Sequence, residues 1–193
     1  ETLVNLMELD MLVGSGGVLS HAPRRHQAAR MLIDAFLPEG ITDLAVDSIF
    51  MMPQLGILST IHPKAAVEVF EKDCLIRLGT CIAPVGKQKQ DQVVMSYEIT
   101  LPNERITGDL MPGELKLVEA PFEAFRARFV PGKGIDIGAG KNEELETKVH
   151  GGVVGIILDG RGRQPFEIPV DPHQRVTSLV EWSESINEYP QLE

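Results

Sequence analysis

Met11-Leu12-Val13 runs directly into Gly14-Ser15-Gly16-Gly17, and Val18 to Pro23 leads on to an amphipathic stretch with helical spacing. That order commits the start of the chain to a strand, a glycine turn and a helix. The reason is steric: glycine reaches backbone angles with φ > 0 and leaves no side chain between the main chain and whatever lies against it. A flat adenosine can lie on such a turn, and the N–H groups that open a helix carry partial positive charge favouring a phosphate. A tight strand-to-helix turn with no ligand is the competing reading of the same residues.

Beyond the turn the pattern stays legible. Ala28, Met31, Leu32, Ala35 and Phe36 recur at helical spacing, with Arg24, Gln27, Arg30 and Asp34 elsewhere, until Leu37-Pro38-Glu39-Gly40 stops the helix. Ile41 to Val46 reads as a second strand, parallel to the first, and Asp47 as a helix cap at its end. Leu3 to Leu9 reads as the end of a helix. Gln54 to Thr60 and Lys64 to Lys72 read as two helical pieces, the second offering Ala66, Val67, Val69 and Phe70 for burial, and Leu75 to Ile82 as a strand or buried turn.

Lys87 to Gln92 is polar and aperiodic, and it divides an α/β unit over residues 1–90 from a β unit over 91–193. Past it the period is two: Val93, Met95, Tyr97 and Ile99 alternate with polar neighbours, as Phe125, Ala127 and Phe129 alternate with arginines. Nine glycines between Gly132 and Gly162 bracket short apolar runs, which predicts a small antiparallel β barrel or sandwich. Asp159-Gly160-Arg161-Gly162 reads as a hairpin turn. Asp171 and Pro172 open a C-terminal helix through Val176, Leu179, Val180 and Ile186, with Trp182 packing it onto the β unit.

A formal net charge of −10, from 28 acidic and 18 basic residues, repels phosphate backbones and weighs against nucleic acid as a partner. No apolar run approaches the ~20 residues that span a bilayer. Only Cys74 and Cys81 occur, with no glycosylation sequon, which fits a cytoplasmic setting. The chain opens at Glu1 with a helix-like piece, and the expectation is that further sequence precedes it. Neither the five histidines nor the two cysteines are spaced as metal ligands, and no base pairs with Cys81 as a nucleophile.

Other phosphate-binding turns fit less well. Leu19 stands where a dinucleotide fingerprint needs its third glycine, and six residues rather than four separate Gly79 from Gly86, with Gln88 after Lys87. Arg24 and Arg25 at a helix start oppose its dipole, by roughly 0.3–1 kcal/mol each, and so point to a nearby anion or a stacked base, unless both are simply solvated.

Gly14 to Arg25, together with Ala45-Val46-Asp47-Ser48-Ile49-Phe50-Met51-Met52-Pro53, Leu75 to Gly86 and Gly152 to Arg163, resembles the glutamate mutase accessory proteins, the MutL/GlmL family unrelated to mismatch-repair MutL. The resemblance implies part of an actin-like ATPase lobe, of the form strand, Gly-x-Gly-Gly, helix. It also implies a chaperone-like factor that uses ATP to release damaged cobalamin from an adenosylcobalamin-dependent mutase. It carries the adenosine contact onto Gly14, Ser15, Gly16 and Gly17, with Arg24 and Arg25 beside them, and assigns no catalytic residue to this stretch. The phosphate loops and magnesium-binding aspartates would lie upstream of Glu1, so the stretch alone is expected to be inactive. The implied partners are mutase subunits. Loops on a β scaffold commonly present a recognition surface, so residues 91–169 read either as a docking unit, with Asn142 to Glu146 and Asp159 to Arg163 as its charged loop tips, or as a buttress for the ATPase lobe. A docking module with a purely structural glycine turn, and a small-molecule kinase of the same superfold, are the alternatives.

Overall fold

A computed structural model describes residues 4–189. Alternating strand patterns build two sheets, and the helices cover one face of the first. β1 (Met11–Gly14) and β2 (Gly40–Asp47) pair in parallel, Met11 opposite Asp43 and Gly14 opposite Val46. Their crossover is the single turn α1 (Gly17–Ser20) followed by α2 (Arg25–Phe36), as the glycine-then-helix pattern predicts. After β2 come α3 (Met52–Ser59) and α4 (Pro63–Val69), and then β3 (Leu75–Ala83), which runs antiparallel to β2. The expected helix over Leu3 to Leu9 is a short 3-10 turn at Leu6–Glu8, and Leu3 itself lies outside the described residues.

The aperiodic stretch from Lys87 gives way to β4 (Met95–Thr100), β5 (Arg105–Leu110), β6 (Leu115–Val118), β7 (Ala124–Pro131), β8 (Leu145–His150) and β9 (Ile156–Asp159), before α5 (Pro172–Ser185) ends the described fold. The first sheet has the order β1-β2-β3-β9-β6 and the second β5-β4-β7-β8. The second sheet is open, its edge strands β5 and β8 unpaired with each other, so the barrel expectation is corrected to two stacked layers. The five-stranded sheet draws strands from both sides of residue 90, because β9 joins β3 and β6 joins β9.

Strand alternation sorts the core. One face of the five-stranded sheet sends Ile82, Val118, Ile156 and Leu158 against Met95, Ile99, Phe125, Phe129 and Val149 of the second sheet. The other face sends Leu44, Val46, Leu78, Cys81 and Ile157 against Ala28, Leu32 and Ile33 of α2 and Trp182 of α5. Trp182 packs on the helical side of the first sheet, beside Leu115 of β6 and Ile157 of β9, so α5 lies on strands of the β unit as expected, with α2 sharing the same face. A close approach locks the central strand. A Cβ at Gly79 (φ +136°) would sit 1.8 Å from the Gly155 carbonyl oxygen, so only glycine lets the Gly151–Gly155 segment lie across β3.

Asp159-Gly160-Arg161-Gly162-Arg163 is neither a hairpin turn nor a loop tip. β9 pairs with β3 and β6, not with any strand after it, and Asp159, Arg161 and Arg163 are all buried. Asp159 accepts from Arg161 Nε (2.9 Å) and Nη2 (2.8 Å) and from Arg163 Nη2 (2.8 Å). Arg161 also donates to Asp34 of α2 (2.8 Å), which pairs with Arg30 (2.6 Å). Both Arg30 and Arg161 lie over the Trp182 ring, 5.6 and 5.1 Å from its centroid, and the indole N–H donates to the Gly113 carbonyl at 2.7 Å. Three elements, α2, β9 and α5, are thus clamped by charge.

The helical pieces after β2 depart from expectation in their packing. Of the apolar residues offered by Lys64 to Lys72, only Ala66 is buried; Val67 and Val69 face solvent. The reason is that α3 and α4 pack chiefly on each other, so one side of each is left uncovered.

Cys74 and Cys81 are buried free thiols. Burial, reinforced by the Asp159 charge and only partly offset by Arg163 and Arg161, pushes the Cys81 thiol up to about 12. Labelling the folded chain with an aromatic disulfide at about pH 8 should therefore release little chromophore, and denaturant should release two equivalents. Prompt labelling of the folded chain would mean that the core around β3 is open.

Candidate functional site

Parallel pairing sets the carboxyl ends of β1 and β2 side by side, the place where α/β sheets gather ligands. Gly14 closes β1 in a crowded place: a Cβ would meet Leu19 Cδ1 at 2.6 Å and Leu32 Cδ2 at 2.8 Å, so both leucine side chains would have to shift to admit one. Ser15 donates from Oγ to Asp47 Oδ2 at 3.4 Å. Asp47, fully buried at the end of β2, also accepts from the backbone N–H groups of Ile49 (3.4 Å), Met51 (3.2 Å) and Met52 (3.1 Å). The N-cap position of α3 is Met51, so Asp47 is not itself the expected N-cap; it satisfies the amides that lead into the helix and ties the glycine turn to the second strand.

Gly16 and Gly17 differ from Gly14. Gly16 takes φ +106° and opens α1, its carbonyl accepting from Ser20 N (3.0 Å) and Ser20 Oγ (2.9 Å). A Cβ at either Gly16 or Gly17 would have no protein atom within 4 Å. Gly17 carries no positive φ and touches nothing, so the fold places no demand for glycine on it. What its missing side chain does supply is an open, flat patch of main chain beside Ser15 and the exposed Val18.

The arginines sit at this end too, but their donors face the protein. Arg25 Nη1 donates to the Ser20 carbonyl (3.0 Å), satisfying the C-terminal end of α1, and Arg24 Nη2 donates to the Asn187 carbonyl (3.2 Å) beyond α5. Carbonyls satisfy donors without neutralising charge. Among the described residues neither arginine is in a salt bridge, and both flank the first turn of α2. His26 in that turn is held below its ordinary pKa, first by burial and then by Arg24. The structure therefore brings Gly14, Ser15, Gly16 and Gly17 together on the sheet edge, with Arg25 bonded into α1 and Arg24 turned to the chain's far end.

Two polar clusters went unread in the sequence. One is the clamp around Asp159. The other joins Asp43 of β2, Thr80 of β3 and His150 of β8: Thr80 Oγ1 lies 2.5 Å from Asp43 Oδ1, His150 Nδ1 lies 2.8 Å from Asp43 Oδ2, and the His150 N–H donates to Thr80 Oγ1 at 2.8 Å. It fastens the second sheet to the first. Partners 37 and 107 residues apart leave no local signal. Among the described residues no group of three His, Cys, Asp or Glu is placed to hold a metal ion, and no helix is long and apolar enough to cross a membrane.

A family model described as MutL protein matches residues 3–74. Over these residues the chain is similar to the MutL family. That family is the MutL of the glutamate mutase accessory proteins, not the mismatch-repair protein. The MutL match runs from before β1 through α4 to Cys74, so it contains the whole glycine-turn edge and stops before β3. No curated protein and no solved structure matches the chain.

Proposed function

We propose that the MutL segment is the adenosine-contacting edge of an ATP-dependent accessory factor for an adenosylcobalamin-dependent mutase of the glutamate mutase type, built on an actin-like ATPase lobe. The observation that carries this reading is Gly17: a glycine in an ordinary backbone conformation, with nothing within 4 Å, at the carboxyl end of the parallel pair. A structural turn explains Gly14 and Gly16 but gives no reason for Gly17. The missing side chain suits a planar ring laid on the main chain, and the unneutralised Arg24 and Arg25 charges favour an anion close by. ATP would supply its own phosphates and magnesium to contacts outside these residues, and this chain's part is to seat the base and ribose. Mutase subunits are the proposed partners.

The test is a reactivation assay with the intact protein. An adenosylcobalamin mutase whose cofactor has been damaged should regain turnover when the protein and ATP are added, and not with a non-hydrolysable analogue. Equal recovery without nucleotide would leave a docking module, and phosphorylation of an added metabolite would favour a kinase of the same superfold.

A further inference from the structure

The outer face of the four-stranded sheet carries its charge in rows, and strand register fixes them. Thr100 on β4 lies opposite Arg105 of β5 on one side and Arg126 of β7 on the other, and Arg126 lies opposite Lys148 of β8. Reading across the strands, the row is Arg105, Thr100, Arg126, Lys148, every member exposed. The neighbouring row, Thr107, Glu98, Arg128 and Glu146, is mixed in sign. Glu98 pairs with Arg105, and Glu144 grips Arg128, with Nη2 to Oε2 at 2.7 Å. Among the described residues, Arg126 and Lys148 are in no salt bridge, although a shallow depression of about 510 Å³ places both beside Thr100 and Arg105.

Like charges directly opposite in an antiparallel pair destabilise it. A chain with 28 acidic residues has many carboxylates to set against Arg126, yet a lysine stands there and a third cation lies two strands away. Such a row, costly to the isolated sheet, is relieved by an anion from outside. We propose that it docks the carboxylates of an acidic segment of a partner protein, laid extended across the strands. Four strands at a spacing of about 4.8 Å spread the three cations over roughly 14 Å, which a single small anion cannot bridge. An extended segment presents same-side carboxylates about every 7 Å and can reach all three. Glu98 and Glu146 beside the row, and Asp109 beyond it, oppose a uniformly charged nucleic-acid backbone lying on the same face. The inference does not depend on nucleotide contact at the glycine turn.

A fluorescently labelled glutamate-rich peptide of about eight residues, titrated with the chain at about 50 mM salt, should bind saturably and weaken as salt rises. Arg126→Ala and Lys148→Glu should each weaken it roughly tenfold, while Lys133→Glu, on a loop of the same unit, leaves it unchanged. Thermal melting supplies the second readout. Lys148→Glu sets opposite charges face to face, so it should raise the melting temperature while it weakens binding. Four results would overturn the proposal: no peptide binding, a Lys148→Glu variant that binds like wild type or melts lower, displacement of the peptide by inorganic phosphate at equal charge, or tighter binding of a single-stranded oligonucleotide. The last two would make the row a small-anion or nucleic-acid site.

Discussion

Arg161→Ala is expected to destabilise the fold by about 3–5 kcal/mol, the cost of breaking a buried ion pair from one side. Arg161 is the hinge of the clamp: it takes Asp159 with two donors, reaches Asp34 on α2 with a third, and stacks on Trp182 of α5. Truncation strips Asp159 to one charged partner, Arg163, and leaves a void under the indole. Urea unfolding reads the loss, and a change below about 1 kcal/mol, the worth of an ordinary exposed pair, would mean that the clamp adds nothing.

The same cluster gives acid sensitivity a definite sign. Burial alone pushes the Asp159 carboxyl up, but the Arg161 hydrogen bond and the Arg163 and Arg161 charges outweigh burial and hold it at about 2, below its ordinary 3.8. The depressed carboxyl contributes stability fully above the unfolded-state value, near 3.9, and loses it as pH falls toward 2, because the unfolded chain then binds the extra proton. The contribution, about 2 kcal/mol, should vanish between about pH 4 and pH 2, and Asp159→Asn should flatten that part of the stability profile. An unchanged profile in the variant would place the acid-labile group elsewhere.

Local chemistry explains which parts of the fold were legible in the sequence. Asp171 as a helix cap, accepting from Gln174 N at 2.8 Å, follows from Asp-Pro before an apolar helical period, and Asp47 at a strand end does take the amides leading into α3, although Met51 holds the N-cap position. The parallel β1–β2 pair follows from a strand, turn, helix, strand order. Long-range pairing did not show. Asp-Gly-Arg-Gly has the wording of a turn, and only tertiary contact with Asp34, 127 residues away, reveals Arg161 as a core residue. Within the apolar run Val153 to Leu158 only Ile156 onward is strand, and Gly155 before it lies against Gly79, a contact between residues far apart in the chain that leaves no local signal. At the site, the glycine wording was readable, but the difference among its glycines was not: Gly14 is crowded, Gly16 is turned to positive φ, and only Gly17 is free of both demands.

That difference selects the decisive variant. Gly16→Val is a poor probe, since φ +106° strains any β-branched residue and a loss of binding would be ambiguous. Gly17→Val meets open space and replaces the weakest helix former short of proline, so the fold should keep its melting temperature. Calorimetric titration of the intact protein with ATP, wild type against Gly17→Val, puts the nucleotide-contacting edge to the test. Saturable binding is expected of the wild type and an affinity about a hundredfold weaker of the variant, as an isopropyl group occupies the face where the adenosine lies. Equal affinity in the two proteins, with both folded, would contradict nucleotide contact and make the glycine turn a structural feature alone.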